Sequence, residues 1–301
     1  EDQARLDLAQ LVAEGDRLAF STDSYVIDPL FFPGGNIGKL AICGTANDVA
    51  VSGAIPRYLS CGFILEEGLP METLKAVVTS MAETARTAGI AIVTGDTKVV
   101  QRGAADKLFI NTAGMGAIPA NIHWGAQTLT AGDVLLVSGT LGDHGATILN
   151  LREQLGLDGE LVSDCAVLTP LIQTLRDIPG VKALRDATRG GVNAVVHEFA
   201  AACGCGIELS EAALPVKPAV RGVCELLGLD ALNFANEGKL VIAVERNTAE
   251  QVLAALHSHP LGKDAALIGE VVERKGVRLA GLYGVKRTLD LPHAEPLPRI
   301  C

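Results

Sequence analysis

Apolar runs with a two-residue period and an apolar run with a helical period follow one another along this chain, and that alternation is what most limits its fold. "RLAFSTD" (17–23), "YLSCGFILEE" (58–67), "GIAIVTGDTKVV" (89–100) and "LFINTAGMGAI" (108–118) predict strands. Between the second and third lies "METLKAVVTSMAETARTAG", which predicts an amphipathic helix with Leu74, Val77, Val78, Met81 and Ala85 on one face and Gly89 as its stop. After a polar turn at Thr128–Gly132 a second set begins with the strand "DVLLVSG" (133–139) and a helix following "LGDHG". Helices near 165–178, 190–203 and 216–227 follow, with strands "KLVIAVE" (239–245) and "AALIGEVVE" (265–273). The expected fold class is therefore α/β (α+β), as two mixed domains divided near residue 120 to 130. No short-period repeat supports a solenoid.

The chain has 301 residues, 49% of them hydrophobic and 20% charged, enough for two domains and a substantial core. A formal net charge of -10 argues against general affinity for nucleic acid or an anionic membrane, because such binding needs clustered Lys and Arg. No apolar run approaches bilayer length, and "EDQARLDLAQ" is neither basic nor apolar enough for a signal segment, so a cytoplasmic location is expected. Seven cysteines without a CxxC pair fit reduced thiols rather than a disulfide framework.

Four internal stretches carry more polar chemistry than a fold alone requires. In "STDSYVIDPLFFPGGNIGKLAICGTANDVAVSGAIP", Asp23 ends a strand and Asn47–Asp48 interrupt a helix of small and apolar residues. A carboxylate there needs a cation, a metal or backbone donors, although helix capping or a structural hydrogen bond would also explain it. In "IVTGDTKVV", Asp96 and Lys98 are two apart on a strand and project to one face. They form either an ion pair or a Mg²⁺-binding carboxylate beside a phosphate-binding ammonium. In "LRDATRGGVNAVVHEFA", Asp186 leaves a strand while Thr188, Arg189 and Gly190–Gly191 lead into a helix. That start is an anion site or an ordinary capped turn. In "NFANEGKLVIAVE", turn chemistry accounts for Asn236 and the glycine but does not require Glu237. His144, His197, His257 and His259 form no zinc-ligand spacing with the cysteines.

The terminus "PHAEPLPRIC" puts Pro292, Pro296 and Pro298 before a final cysteine, Cys301, and predicts an extended arm. Twelve residues from Asp290 could reach at most about 40 Å. By itself a terminal cysteine is better explained by an incidental frayed end.

"FFPGGNIGKLAICGTANDVAVSGAIP", "GDTKVV", "GDHG", "DATRGGVNAV", "NEGKL" and the terminal "PRIC" together resemble the hydrogenase maturation factors of the HypE family. These belong to the larger group of aminoimidazole ribonucleotide synthetase and selenophosphate synthetase. The resemblance spans essentially the whole chain, and the Pro-Arg-Ile-Cys end distinguishes this family from its relatives. It implies an N-terminal ATP-binding and dimerisation domain over 1–120, a C-terminal α/β domain over 128–288 and a flexible tail over 289–301, with the N-terminal sheets of two subunits pairing in a homodimer. It also implies [NiFe] hydrogenase maturation, in which the carbamoyltransferase HypF loads Cys301. ATP-dependent dehydration then turns the thiocarboxamide into a thiocyanate, and its cyano group passes to iron on a HypC–HypD complex.

On this resemblance Cys301, Glu237 and Lys98 are the expected catalytic residues: Cys301 as carrier, Glu237 as base, and Lys98 to stabilise the developing oxygen charge or orient the thiocarboxamide. Asp23, Asp48, Asp96, Asn47, Asp186, Thr188 and Gly190 are expected to bind the nucleotide, with Asp23, Asp48, Asp96 and Asp186 holding Mg²⁺. In that family a glycine-rich "HGSGG"-like segment helps cover the nucleotide; this chain starts after it, so weaker ATP binding is expected. Two other readings remain: a relative that phosphorylates a different amide or a selenide, and a metallochaperone-type binding protein that carries metal on its cysteines.

Overall fold

The computed structural model describes residues 3–157, 159–292 and 297–301. The fold is mixed α/β, as expected, in two units. One comprises Glu1–Ile122, Cys165–Thr169 and Arg299–Cys301, and the other His123–Asp164 and Pro170–Pro298.

The first unit runs α1 (Leu8–Glu14), β1 (Arg17–Tyr25), a small ribbon of β2 (Phe31–Phe32) and β3 (Gly35–Asn36), α2 (Ile37–Ala50), β4 (Ile55–Glu66), α3 (Met71–Ala88), β5 (Ala91–Val100) and β6 (Leu108–Ile118). Its main sheet has the order β1-β6-β4-β5. Helix α2 begins where the Asn36 side chain accepts hydrogen bonds from the Gly38 and Lys39 N–H groups at 2.9 and 3.1 Å. Nearly every side chain of α2 is small or apolar, so the helix is buried almost all round, with only Lys39 and Asp48 partly exposed. Helix α3 ends at Gly89 as expected, and Val77, Met81 and Ala85 are buried. Val78 is not: it is 45% exposed and lines an open groove with Ile92, so the inward face of α3 is narrower than the apolar pattern suggests.

The second unit runs β7 (Val134–Val137), α4 (Asp143–Glu153), α5 (Thr169–Gln173, whose first residue counts with the first unit), β8 (Val181–Asp186), α6 (Gly191–Cys203), β9 (Gly206–Ser210), α7 (Pro218–Leu227), β10 (Leu240–Val244), α8 (Ala249–His257), β11 (Ala266–Val272), β12 (Gly276–Ala280) and β13 (Lys286–Thr288). Its sheet has the order β13-β12-β9-β11-β7-β10-β8. Val192, Val195, Val196 and Phe199 of α6 pack on Leu135, Val137, Val241, Ala243, Ile207 and Val271 from one face of that sheet. β7 and β10 are buried along their whole length, the mark of strands covered on both faces.

The helix expected near 165–178 contracts to Thr169–Gln173. The reason is Asn47: its amide donates to the Ala166 carbonyl at 3.0 Å and accepts from the Leu168 N–H at 2.8 Å, which satisfies this backbone outside a helix. At the C-terminus Pro296 lies outside the described residues. Beyond it the expected extended arm bends in a turn at Pro298–Arg299, with Arg299 in the left-handed region at φ 54°.

Candidate functional site

The pleat of the first unit's sheet sorts its polar residues onto two faces. Asp23 pairs in register with Thr112, Thr112 with Cys61, and Cys61 with Gly95. One step along, Ser24, Asn111, Gly62 and Asp96 form the next row and point to the other face. Asp23 and Asp96 are thus on opposite faces of opposite edge strands, separated by three strand spacings or roughly 14 Å. A single ion within one chain cannot take both, which corrects the expected grouping of Asp23, Asp48 and Asp96.

The Asp23 face is the one covered by α2. The Tyr25 hydroxyl donates to Asp23 at 3.4 Å and lies 3.1 Å from Thr45 Oγ1, which is 2.6 Å from Thr112 Oγ1; Thr112 in turn donates to the Ala41 carbonyl at 3.0 Å. Gly44 makes room for this chain of hydroxyls, because a Cβ there would sit 2.4 Å from the Tyr25 hydroxyl. Two residues before Asp23 on the same face, Ser21 donates to Asp48 at 2.7 Å. Asp23 and Asp48 therefore share one side of the sheet and are both partly exposed. Asn47, expected to contact nucleotide, uses its amide on the Ala166–Leu168 backbone instead.

The opposite face carries Asp96 and Lys98, which pair at 2.8 Å with both side chains about 70% exposed (71% and 69%). The Lys98 ammonium and the Thr97 N–H hold the Asp96 carboxyl below its ordinary range. With Ser24, Val26, Ile64, Phe109 and Asn111 they line a concavity of ≈ 390 Å³. Two of its lining residues also hold the C-terminus. Arg299 Nε donates to the Val26 carbonyl at 2.8 Å, its guanidinium lies 6.0 Å from the centre of the Phe109 ring, and the Val26 N–H donates to the Cys301 carbonyl at 2.9 Å. Asp106 completes the grip with a 2.6 Å bond from Arg299 Nη1.

In the second unit Asp186 closes β8 and is 4% exposed, while Glu237 is 2% exposed. Their segments are bound together: the Asn236 N–H and side-chain amide both donate to the Ala187 carbonyl, at 2.9 and 3.0 Å, and the Ala187 N–H donates to the Lys239 carbonyl. Asp164 caps the turn, accepting from the Glu237 and Gly238 N–H groups at 3.1 and 3.2 Å and lying 3.4 Å from the Lys239 ammonium. Thr188 is half-buried and accepts from the Gly191 N–H at 2.9 Å; Gly190 is the N-cap of α6. Gly191 also has a positive φ and lies so close to the 232–234 backbone that a Cβ would meet the Leu232 carbonyl oxygen at 2.4 Å. Asp186, Thr188, Gly190 and Glu237 are thus gathered on one unit, and Asp23, Asp48, Asp96, Lys98 and Cys301 on the other.

The family described as "AIR synthase related protein, N-terminal domain" matches residues 1–118, and its C-terminal domain counterpart matches 130–281. The carbamoyl dehydratase HypE of Escherichia coli K12 is 99% identical over all of this chain and 90% of its own length. The chain belongs to the HypE family. A crystal structure described as a HypE in complex with ATP superposes with a TM-score of 0.94 at 46% identity, over 100% of this chain and 90% of that one. A HypE within a HypE–HypF complex gives 0.89 at 48% identity, over 91% and 90%.

This HypE-family chain also carries buried polar groups outside the expected site residues. Asp143, 3% exposed, accepts from Thr140 at 2.5 Å and pairs with Lys217 at 2.9 Å; His144 Nδ1 lies 2.8 Å from Ser163 Oγ. The carboxylate between two glycines in "GDHG" was the available signal for Asp143, whereas nothing in the sequence marks Asp164 or Asp106. Among the described residues no three His, Cys, Asp or Glu side chains come together as a metal cage. The pair Asp23 and Asp48 suits instead a Mg²⁺ ion completed by phosphate oxygens and water, since that ion commonly takes only one or two protein carboxylates.

Proposed function

We propose that this chain is an ATP-dependent carbamoyl dehydratase acting on its own C-terminus in [NiFe] hydrogenase maturation. The observation that carries the reading is the seat of Cys301. Its backbone carbonyl and the Arg299 guanidinium are both bound to the Val26 backbone, and Val26 lines the same concavity as Lys98 and Asp96. The HypE–HypF and HypE–ATP complexes of relatives support HypF as the carbamoyl donor and ATP as the phosphoryl donor.

The dehydration balances without an external redox partner. The thiolate of Cys301 attacks the carbamoyl carbon presented by HypF and displaces the leaving group that carbon carries there, giving a thiocarboxamide. Its carbonyl oxygen attacks the γ-phosphorus of ATP and releases ADP, while one N–H proton is lost to leave a carbon–nitrogen double bond. Loss of the second N–H proton with departure of phosphate then gives the thiocyanate, so the oxygen leaves as part of phosphate. Glu237 is assigned to proton acceptance and Lys98 to the charge that builds on the oxygen. Asp23 and Asp48 would hold Mg²⁺ and, with Asp186, Thr188 and Gly190, orient the nucleotide, whose phosphate charge the cation would neutralise; because Lys98 and the seated Cys301 lie across the sheet from Asp23 and Asp48, the nucleotide they meet is assigned to a second copy of the chain. Asp96 serves as the partner that keeps Lys98 extended over the concavity rather than as a ligand of the same ion. The cyano group then goes to iron on the HypC–HypD complex: the S–C bond breaks, the Cys301 thiolate is returned, and the two electrons that deliver the group as cyanide come from that iron complex.

Pairing of two first-unit sheets into a homodimer belongs to the same proposal. Its support is the uncovered face, where Leu18, Phe20 and Ile64 are 59%, 67% and 44% exposed.

The test is Cys301→Ala incubated with HypF, ATP and carbamoyl phosphate. The parent chain gains the mass of one carbamoyl group on its C-terminal peptide and the variant gains none. An equal adduct elsewhere on the variant refutes the carrier role.

A further inference from the structure

The C-terminal tail is gripped by more than its backbone. The β5–β6 loop (residues 101–107) that supplies Asp106 is itself fixed: Glu66, at the end of β4, accepts from the Gly103 and Lys107 N–H groups at 2.7 and 3.0 Å, and Lys107 pairs with Asp28 at 2.6 Å. Asp106 thus meets Arg299 from a braced loop, while Phe109 lies under the guanidinium and the Val26 carbonyl takes Nε. Arg299 adopts a left-handed backbone at φ 54° to do so. Such a conformation is costly for a side-chain-bearing residue and persists only where surrounding contacts over-determine it. Ile300, 1% exposed, adds apolar burial next to the thiol.

We infer that Asp106 is a positioning residue for the carrier cysteine: with Phe109 and the Val26 backbone it clamps Arg299 and so sets Cys301 beside the concavity that holds Lys98. This rests on the reading of Cys301 as the carrier, and it names what sets the balance between a seated tail, ready for activation, and a released one, ready for a partner. The grip is of the right strength for a reversible seat. Asp106 and Arg299 are 45% and 37% exposed at the side chain, so solvent screens the pair and its loss should release the tail without unfolding the unit.

The test uses the full chain and the rate at which a maleimide labels Cys301, read from the 287–301 peptide released by cleavage after Lys286. That peptide contains no other thiol. Cys224 serves as a control on the second unit, its thiol pushed up to about 11 by burial and therefore slow to react. Asp106→Asn should raise Cys301 labelling about 3- to 10-fold, in keeping with loss of one partly exposed charge-assisted bond. Asp106→Glu should stay closer to the parent, and Cys224 labelling should not change. Arg299→Lys, which keeps the charge but loses the planar fork over Phe109, should also accelerate labelling, and it decides the matter if Asp106→Asn proves poorly folded. Parental labelling rates in both Asp106→Asn and Arg299→Lys would overturn the clamp. With HypF, ATP and carbamoyl phosphate, Asp106→Asn should accept the carbamoyl group at least as fast as the parent and lose water more slowly; parental water loss from a loosened tail would overturn the positioning role. If the parent itself takes no carbamoyl group, the carrier reading fails while the labelling result still stands for the seat.

Discussion

The two sheets of this protein use similar strand sequences to opposite ends. β7 and β10 of the second unit are buried along their whole length, whereas β5 of the first is exposed at most positions and ends an uncovered face. Polar side chains in the second unit are locked: Asp164 is spent on the 237–239 turn, and Asp143 on Thr140 and Lys217. On the first unit's sheet they remain exposed, as with Asp96 and Lys98, and the open face is the one beside which Cys301 is held. A doubly covered sheet gives rigidity, and a singly covered one leaves room for a moving segment or a second chain.

That contrast should show first in stability. Phe199, 3% exposed and packed on the second sheet by α6, should cost about 3–5 kcal/mol on truncation to Ala, read as a fall in the urea midpoint. A loss below about 1 kcal/mol would mean that the second unit is no tighter than the first.

An intermediate effect is expected from pH. The hydrogen bond from Arg299 lowers the Asp106 carboxyl, so the bond contributes fully above the ordinary carboxylate range and is lost as pH falls through the lowered value. Thiolate chemistry is slow there, so release of the tail is read by the rate of carboxypeptidase removal of Cys301 with an acid-tolerant enzyme. The rate should rise as pH falls in the parent and stay flat in Asp106→Asn. Equal pH profiles would remove Asp106 from the account.

The smallest expected effect sharpens the same comparison. Phe20 is 67% exposed on the open face, so Phe20→Ser should change the stability of dilute monomer by no more than about 0.5 kcal/mol. The sedimentation coefficient at high concentration should fall if that face joins two copies, and an unchanged value would place any self-association elsewhere.

Much of this was legible in the sequence for a local reason. The periods that define α3 and the four long strands of the first unit, and the glycine that stops α3, are short-range signals. The short strands β9, β12 and β13 were missed because three to five residues give little period to read. Asp23 and Asp96 looked like one site because cross-strand register, which puts them on opposite faces, is fixed by tertiary pairing. Asp106 was invisible for the same reason: its partner Arg299 is 193 positions away. Asn47, conspicuous as an amide in an apolar helix, proved to serve a backbone segment more than a hundred residues later.

The most direct test of the whole account follows the mass of the 287–301 peptide with time after ATP is added to the carbamoylated chain. The parent should lose one water, with Lys98→Ala and Glu237→Gln each accepting the carbamoyl group normally and then stalling. For Glu237→Gln the fall should be about 10²- to 10⁴-fold, the usual contribution of a positioned base, because glutamine keeps the shape but cannot take the proton. Water loss at the parental rate in both variants would contradict the assignment of the chemistry to these residues.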